Sequence, residues 1–496
     1  MMKKVTLLLV FSMLASCISC SSGASVSDDT TTAPTETSNV SADTEPLDAL
    51  DARKLVDDEL PEKDFEGAVF TILGETSKKE YLDVESTNGD VVNDAIFMRN
   101  QAVEERFNVE LDYFLVDYFF DVNTQVAKNV NAGDDAFQLV SGHVVSLGQL
   151  VADNYLMNWY DIEHVNFNKP WWAKANIENL TYNDVCILAI GDYALTSISH
   201  TYCVYFNKRL TDEYQIADPY QTVIDGDWTI DYMISLTKDV YKDINNNGVE
   251  DEADSYGFIV PNANAFLWAF DNPIIENDPS KGLTVVYKSE KIFDIITKLV
   301  TMLDDNAGIT QMGYNNNGTF TYRVEIPQLL FKDGQTIFTT ASIGDALRYY
   351  RDMDDAYGIL PYPKWNTEQE EYYTMVDGSH SAMAVPVTVT DTEMVGVITE
   401  ALCAESYKQV VPQYYDIALK VKGTRDDTSV EIIDMLVENR VFDMGYVYDG
   451  FHGASFIIQK MTRESNTNFE SHWASVESSV MEHYGKVIDF FENYGE

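Results

Sequence analysis

One stretch of the chain has residue types and spacing that suit a metal ion. From Asp243 to Asp254 it reads Asp-Ile-Asn-Asn-Asn-Gly-Val-Glu-Asp-Glu-Ala-Asp. Calcium prefers about six to eight oxygen ligands, and the spacing matches an EF-hand loop in which a glycine at the sixth position permits a sharp turn. The sequence therefore predicts one structural calcium ion. The predicted ligands are Asp243, Asn245, Asn247, the carbonyl of Val249, Asp251 and Asp254.

The last position of this loop departs from the full pattern. A longer Glu normally supplies two oxygens there, whereas this chain has Asp254. Only one such loop occurs, which favours a structural clip over a paired calcium sensor. A solvated acidic turn between two elements is the alternative interpretation.

The N-terminus has the pattern of a bacterial export signal. Two lysines precede an apolar run from Val5 to Leu14, which is too short for a permanent membrane anchor. Leu14-Ala15-Ser16-Cys17 then resembles the lipobox of bacterial lipoproteins, whose cysteine sulfur takes a diacylglyceryl group. The pattern predicts a signal peptide over residues 1–16, lipidation of Cys17 and a place at the outer face of the cell membrane. An ordinary signal peptide cut nearby is the alternative.

Residue patterns for most enzyme chemistry do not occur. The seven histidines form no zinc-binding spacing, and neither a Gly-x-Ser-x-Gly elbow nor a Walker-type phosphate loop occurs. Glycoside hydrolysis stays open, because it needs only two suitably placed carboxylates and the chain has 81 Asp and Glu residues.

Composition divides the chain into a tether and a folded part. Residues 17–61 are rich in Ser, Thr, Ala and Asp and cannot bury enough apolar surface to fold, so they are predicted to be a flexible tether. The net charge of −48 disfavours nucleic acid as a partner. Cys186 and Cys203 lie in neighbouring apolar segments, where they either pair or stay as buried free thiols.

The start of the folded part alternates between strand and helix patterns. The continuous apolar run 68–73 predicts a buried strand, and Asp90 is placed to cap a following helix with apolar residues at helical spacing. Strands are then predicted at 109–115 and 136–140, with a helix between them. This alternation predicts an α/β lobe with a parallel sheet. Near the C-terminus, Val480, Tyr484, Val487 and Phe491 predict a helix packed on the second lobe.

Several ordered segments carry a resemblance to a known family. A strand ending in Tyr205-Phe-Asn207-Lys, followed by Trp228-Thr opening a helix, is similar to the crossover into the second lobe of type 1 extracellular solute-binding proteins. These are the maltose-binding-protein-like receptors of ABC importers. Further segments agree with the resemblance in order and spacing: Lys169-Pro-Trp-Trp172, Asp254-Ser-Tyr-Gly-Phe258, Tyr357-Gly-Ile-Leu-Pro-Tyr-Pro-Lys364 and Val411-Pro-x-Tyr-Tyr-Asp-x-Ala-Leu-Lys420.

The resemblance implies a type II periplasmic-binding-protein fold with two α/β lobes, an interlobe cleft and hinge crossovers. By analogy, lobe one holds 62–199 and 340–408, and lobe two holds 200–339 and 409–496. The implied function is to bind a sugar or oligosaccharide without turning it over and to deliver it to ABC permease subunits, with the lipid anchor holding the receptor at the membrane. An exported carbohydrate-active enzyme and a surface carbohydrate-binding module without a transport role are the alternatives.

A sugar receptor needs flat aromatic faces and planar polar groups. Trp171 and Trp172 follow a proline in a predicted loop, and Trp268 lies in an apolar run, so each belongs either to the cleft or to a core. Asp192, Asp377 and Ser379 precede or adjoin the implied crossovers and are candidate hydrogen-bonding groups for a ligand. A capping or turn role is the alternative for each carboxylate.

Overall fold

The structure is a computed structural model that describes residues 49–278, 280–311, 325–415 and 427–495. Cys17, the predicted signal peptide and the predicted tether as far as residue 48 lie outside these ranges. The strands are β1 Ala68–Glu75, β2 Val109–Val116, β3 Leu139–His143, β4 Tyr202–Asn207, β5 Tyr241–Lys242, β6 Ser255–Ile259, β7 Ile275–Asp278, β8 Gly282–Val285, β9 Ile309–Thr310, β10 Thr336–Ser342, β11 Tyr357–Leu360, β12 Thr374–Met375, β13 Ser381–Ala384 and β14 Arg440–Val441.

The α-helices are α1 Ala49–Lys54, α2 Lys79–Leu82, α3 Val91–Phe107, α4 Phe119–Ala132, α5 Val144–Leu147, α6 Lys174–Leu180, α7 Thr196–Ser199, α8 Lys208–Glu213, α9 Pro219–Ile224, α10 Ile230–Thr237, α11 Phe266–Ala269, α12 Glu290–Asp304, α13 Ile326–Lys332, α14 Asp345–Arg348, α15 Thr392–Glu405, α16 Asp427–Glu438, α17 Met444–Val447, α18 Ile457–Arg463 and α19 Phe469–Glu492. Short 3-10 turns lie at Thr76–Lys78, Gly148–Leu150 and Trp159–Asp161, and Ser406–Val410 is π-helical.

The first sheet contains the β-α-β unit that the hydrophobic pattern predicts. Strands β1 and β2 pair in parallel along their whole length, and α3 connects them. The Asp90 side chain caps α3 by accepting hydrogen bonds from the backbone N–H groups of Val92 and Asn93. Strand β3 begins at Leu139, three residues later than predicted, and pairs in parallel with β1. Strand β13 adds antiparallel to β3, so the order is β13-β3-β1-β2.

The second sheet is mixed rather than parallel. Its order is β11-β4-β10-β6-β5, with β9 also paired to β6. Strand β4 runs antiparallel to both of its neighbours, β10 and β11, whereas β10 and β6 are parallel. Because β4 runs opposite to β10, the first residue of β4, Tyr202, lies beside the last residue of β10, Ser342.

Three chain segments lie side by side where the two sheets meet. Thr201, just before β4, forms an antiparallel bridge with Val376, and its carbonyl accepts a hydrogen bond from the backbone N–H of Ile343 at 2.8 Å. The backbone N–H of Gly344 donates in turn to Ser199. The segments at Thr201 and Val376 connect the two sheets, as the hinge crossovers implied by the resemblance do, whereas the segment at Ile343 leads from β10 to β11 within the second sheet. The contacts place the ends of both sheets next to one another.

The predicted lobe boundaries stay a prediction, but one strand bears on them. Strand β11 falls within 340–408, the range assigned above to lobe one, yet it pairs with β4 in the second sheet. All four strands of the first sheet fall within the ranges assigned to lobe one. A crossover after Leu360 and before Thr374 fits the sheet membership better than one at residue 340.

The remaining predictions on elements and thiols have clear outcomes. The predicted C-terminal helix is α19, and its residues Val480, Tyr484, Val487 and Phe491 are buried. Cys186 and Cys203 are buried free thiols and do not pair. Within the described ranges, no helix combines the length and the apolar character needed to cross a membrane.

Candidate functional site

The strand ends at which the two sheets meet bring together a group of polar side chains. Strand β1 ends at Glu75, β3 ends at His143 and β4 begins at Tyr202. The backbone N–H of His143 donates to Oε1 of Glu75 at 3.1 Å, which joins the first two of these ends. We call the group the polar centre, and it comprises Glu75, Lys78, His143, His200, Tyr202, Asn262, Asp377 and Ser379.

Asp377 is the most heavily hydrogen-bonded member of the polar centre. Its carboxylate accepts from the hydroxyl of Tyr202 at 2.6 Å and from both the backbone N–H and the hydroxyl of Ser379. The amide of Asn262 donates to the Tyr202 hydroxyl at 2.6 Å, so the network reaches the loop that follows β6. Although burial opposes ionisation, the pKa of Asp377 is lowered to about 2 by His200, which is charged only in the acid range where Asp377 titrates, and by these hydrogen bonds.

Burial keeps the histidines of this region neutral. The pKa values of His143 and His200 are both lowered to about 4, first because burial disfavours the charged ring and further by the ammonium of Lys78. His200 lies 3.3 Å from that ammonium, measured between Nε2 and Nζ. The polar centre therefore offers neutral imidazoles at ordinary pH.

Lys78 and Glu75 supply opposite charges in a confined space. Burial lowers the pKa of Lys78 and raises the pKa of Glu75, and the attraction between the two opposes both shifts. Among the described residues, no carboxylate forms an ion pair with Lys78; its Nζ bonds to His200 instead. Part of the hydrogen-bonding capacity of this ammonium is therefore left for a ligand.

Aromatic side chains from both sides of the cleft lie next to the polar centre. The ring of Phe119, at the start of α4, stacks on His143 with centroids 4.5 Å apart. Phe451 contacts Phe120 edge-on at 5.4 Å and lies parallel to Phe456 at 6.2 Å. We call Tyr118, Phe119, Phe120, Phe451 and Phe456 the aromatic wall.

Two residues of the aromatic wall present an open ring face. Tyr118 is 52% exposed and Phe451 is 37% exposed. Phe451 has a φ of +63°, a left-handed conformation that costs free energy in a bulky residue. Such strain in a cleft is consistent with a functional position, because it directs the ring across the gap towards the first sheet.

A cavity of about 330 Å³ adjoins the polar centre through His200, which forms part of its wall. Its walls come from α2 of the first lobe, from the crossovers and from Tyr414. The lining residues include Glu80, Tyr81, His200, Asp345, Arg348 and Tyr414. Ligand pockets typically range from about 300 to 1,000 Å³, so this cavity is large enough to be one.

Of the sequence-predicted ligand residues, the structure brings Asp377 and Ser379 into the polar centre. Asp192 lies elsewhere, with its backbone N–H donating to the carbonyl of Trp171 at 2.8 Å. Burial raises the pKa of the Asp192 carboxyl to about 7, and the nearby charges of Arg440 and Arg53 counteract that rise. Among the described residues, no hydrogen bond joins Asp192 to Asp377 or to Ser379.

The predicted tryptophans lie in the cores instead of the cleft. Trp171 is 0% exposed and Trp172 is 3% exposed, and their indole N–H groups both donate to the buried carboxylate of Glu400, at 2.8 and 3.0 Å. Trp268 is 2% exposed and donates to Asp443 at 2.9 Å. The three tryptophans therefore match the core alternative, because their indole rings are buried and offer no open face to the cleft.

The aromatic wall was not found by the sequence reasoning, although a signal for part of it existed. Phe451 stands in Asp449-Gly-Phe-His-Gly453, and a large aromatic residue between two glycines in a turn is costly to expose without a partner. Tyr118, Phe119 and Phe120 follow β2 directly and carry no comparable marker.

The loop 243–254 has the hydrogen bonds expected of a compact acidic loop. The carboxylate of Asp243 accepts from the backbone N–H groups of Asn247 and Gly248, and Gly248 has a φ of +71°. Asp254 is fully buried and accepts from the hydroxyl of Tyr241 at 2.8 Å and from the backbone of Ile244. Within the described ranges, no three His, Cys, Asp or Glu side chains converge as a metal site.

Comparison with solved structures identifies the fold. No family model matches the sequence, and no curated protein is significantly similar to it. Maltose-bound MalE3 of T. maritima superposes with a TM-score of 0.52 at 12% identity, covering 86% of this chain and 100% of that one. UspC of M. tuberculosis gives 0.54 at 13% identity, covering 84% and 100%.

A third similar structure is an ABC-transporter solute-binding protein from Agrobacterium radiobacter K84 in complex with ribitol. It gives a TM-score of 0.52 at 12% identity and covers 85% of this chain and 99% of that one. Identities this low carry the fold alone. The chain therefore has the two-lobe, type II fold of maltose-binding proteins, and its polar centre and aromatic wall lie where the two sheets of that fold face each other.

Proposed function

We propose that this chain is an extracellular receptor of an ABC importer, which binds a sugar or oligosaccharide in the cleft and delivers it to a membrane permease. The observation that carries the proposal is the pairing of the aromatic wall with the polar centre on this fold. Solved structures with the same fold include complexes with maltose and ribitol.

The two sets of residues supply complementary parts of sugar recognition. The open faces of Tyr118 and Phe451 cover the apolar face of a pyranose ring. Asp377 and Asn262 pair with hydroxyl groups, because a carboxylate accepts and an amide both donates and accepts. The contacts come from both sides of the hinge, so a bound sugar favours the closed arrangement that a permease would recognise.

Isothermal titration calorimetry against a panel of mono- and oligosaccharides tests the proposal. We expect saturable binding of at least one sugar, and loss of most of that affinity in Asp377→Ala. Absence of heat across sugars, with binding of a peptide or polyamine instead, would contradict a sugar receptor.

The fold neighbours named above are binding proteins, which favours binding without turnover over a carbohydrate-active enzyme. Incubating the protein overnight with the sugar that binds should therefore release no reducing sugar. A surface module without a transport role would instead bind insoluble polysaccharide and show no affinity for soluble ligands.

Membrane attachment through Cys17 is part of the proposal. The lipobox-like Leu14-Ala15-Ser16-Cys17 supports it, and the predicted tether would raise the effective concentration of the receptor near its permease. A Cys17→Ala variant should be released from the membrane fraction, whereas the native chain should partition into detergent.

We also propose that the loop 243–254 binds one calcium ion. The carboxylates of Asp243 and Asp251 and the amide oxygens of Asn245 and Asn247 are hard ligands that suit calcium. Asp254 already accepts hydrogen bonds from Tyr241 and two backbone N–H groups, so a weak site completed by water fits these residues better than a full EF-hand.

A further inference from the structure

Hydrogen bonds fix which ring nitrogen carries the proton in three histidines around the polar centre. A neutral imidazole donates from one nitrogen and accepts at the other. In His200, Nδ1 lies 2.9 Å from the carbonyl oxygen of Thr196, and Nε2 lies 3.3 Å from Nζ of Lys78. Because a carbonyl only accepts and an ammonium only donates, the proton of His200 is on Nδ1 and is already used.

His380 also carries its proton on Nδ1. This nitrogen lies 2.7 Å from the carbonyl oxygen of Asp377, so it must be the donor. The residue is 1% exposed, and its Nε2 is buried without a hydrogen-bond partner in the described part of the chain. Neither His200 nor His380 can therefore donate to a ligand, because the single N–H of each ring already binds a backbone carbonyl.

His143 has the opposite arrangement. It is the N-cap of α5, and its Nδ1 accepts a hydrogen bond from the backbone N–H of Ser146 at 3.3 Å. The proton of the neutral ring is therefore on Nε2, at the far end of the side chain. His143 is partly exposed, and no group among the described residues bonds to its Nε2. This N–H is thus a donor that remains available.

The surroundings keep the ring of His143 neutral. Burial lowers the pKa of His143 to about 4; the carboxylate of Asp377 opposes this shift, and the ammonium of Lys78 adds to it. The backbone N–H of His143 donates to Glu75 at 3.1 Å, which holds the residue at the end of β3. At neutral pH the side chain therefore presents one N–H donor and no charge.

The same ring lies where the polar centre meets the aromatic wall. Phe119 stacks on it with centroids 4.5 Å apart and 23° between the ring planes, and Phe451 lies 6.0 Å away. The stacked phenyl ring holds the plane of the imidazole and hence the direction of its N–H. A sugar ring that covers Phe451 would bring its oxygen atoms close to this donor.

We propose that His143 is a specificity-determining residue of the sugar site, and that its Nε2–H donates a hydrogen bond to an oxygen atom of the ligand. Because the backbone of Ser146 fixes the tautomer, this position accepts a hydroxyl, ether or carbonyl oxygen and disfavours a protonated amino group. This inference rests on the proposed receptor function and adds a contact residue to it.

Two substitutions separate this donor from the capping role of His143. Asparagine is a good N-cap whose side-chain oxygen can accept from Ser146, but its amide is too short to reach the place of Nε2. Glutamine is one methylene longer and can place an amide N–H there. His164→Asn is the matched control, because His164 lies beside Glu393 at 3.8 Å, outside the polar centre, and its φ of +70° suits asparagine.

Calorimetry with the full chain and a panel of glucose, galactose, mannose, xylose, maltose and cellobiose supplies the probe, which is the sugar that binds most tightly. His143→Asn should weaken its binding about three- to tenfold, the effect of losing one neutral hydrogen bond. His143→Gln should retain more of the affinity than His143→Asn, and His164→Asn should bind as the native chain does. His143→Ser, which also caps a helix and is shorter still, replaces His143→Asn if that variant does not fold.

Analogues of the same sugar locate the atom that accepts. Replacing one hydroxyl by hydrogen removes its acceptor, whereas replacing it by fluorine keeps a weak acceptor and removes the donor. At the hydroxyl bound by His143, the fluoro analogue should bind the native chain more tightly than the deoxy analogue. This difference should disappear in His143→Asn.

The outcomes separate the inference from the function on which it rests. Native affinity in a folded His143→Asn variant would overturn the contact and leave the receptor function standing. A fluoro-to-deoxy difference that is absent at every hydroxyl, or that persists in His143→Asn, would also overturn it, since another donor such as Lys78 would then hold the ligand. If no sugar of the panel binds the native chain, both the inference and the proposed function fail.

Discussion

Nε2 of His200 lies 3.3 Å from the ammonium nitrogen of Lys78, and Nδ1 of the same ring lies 2.9 Å from the carbonyl oxygen of Thr196. A carbonyl oxygen can only accept, so Nδ1 carries the proton and Nε2 accepts from Lys78. The ring must be neutral for both bonds to form. A neutral histidine thus orients a cation in the cleft without cancelling its charge.

This pairing predicts a pH dependence of stability. The pKa of His200 falls from 6.5 to about 4 on folding, because burial and the nearby ammonium disfavour the charged ring. Below pH 6.5 the unfolded chain binds a proton that the folded chain does not, so this contribution to stability is present above pH 6.5 and is lost as pH falls towards 4.

Glu400 and Asp192 have raised pKa values, so their contributions to the free energy of unfolding change with pH in the opposite direction. The contribution of His200 is therefore measured as a difference between the native chain and a variant. The free energy of unfolding of the native chain, relative to His200→Gln, should decrease between pH 6.5 and 4. Urea denaturation of both proteins at pH 7, 6, 5 and 4 measures it. A constant difference would show that His200 is not held neutral.

Glu400 gives a second pH-dependent prediction. Its buried carboxylate accepts from the indole N–H groups of Trp171 and Trp172, and burial raises its pKa from 4.5 to about 7. Folding therefore opposes ionisation, and the contribution of Glu400 to stability decreases as pH rises from 4.5 to 7.

Glu400→Ala leaves two buried indole N–H groups unsatisfied and should lower the free energy of unfolding by about 2–5 kcal/mol. Glu400→Gln cannot ionise, so its stability relative to the native chain should improve between pH 5 and pH 8. Thermal denaturation at both pH values checks this, with the exposed Glu110→Gln as the control. Equal destabilisation of the Gln variant at both pH values would argue against the raised pKa.

Phe451 allows stability and binding to be separated. Phe451→Gly removes the ring and relieves the strain of a φ of +63°, so its melting temperature should equal or exceed that of Phe451→Ala. Both variants should lose about tenfold or more in sugar affinity, because an aromatic face of the cleft is gone. Tyr214→Ala removes a ring that is 44% exposed but outside the aromatic wall, and serves as the control. Undiminished sugar affinity in Phe451→Gly would show that the ring of Phe451 in the aromatic wall does not contact the sugar.

Calcium gives a prediction that is independent of the sugar. Adding millimolar calcium to chelator-treated protein should raise the melting temperature, because an ion that binds only the folded loop stabilises it. Asp243→Ala should abolish the rise, whereas Asp212→Ala, on an exposed part of α8, should keep it. If calcium does not change the melting temperature of the native protein, the loop 243–254 is a solvated acidic turn and not a calcium site.

Local features of the fold were predictable from the sequence for simple physical reasons. The cap at Asp90 and the helical spacing in α19 depend on residues a few positions apart, so the sequence displays them directly. The sheet to which β11 belongs could not be predicted in the same way, because strand pairing joins Tyr357 to Asn207 and no local pattern records that contact.

The cleft was predictable only in part for the same reason. Asp377 meets Tyr202 across 175 positions of sequence, and Phe451 meets Phe120 across 331 positions (451 − 120). Their place in a predicted loop makes Trp171 and Trp172 candidates for either the cleft or a core, and the hydrogen bonds of both indoles to the buried carboxylate of Glu400 place them in a core. A sequence pattern shows which side chains suit a sugar, whereas the fold decides which of them face the cleft.

A crystal structure of the protein with its tightest-binding sugar tests the central claim most directly. The account predicts that the sugar lies between the two sheets, with a ring face against Phe451 or Tyr118 and hydroxyl groups within hydrogen-bond distance of Asp377. A sugar bound elsewhere, with the cleft between the polar centre and the aromatic wall empty, would contradict it.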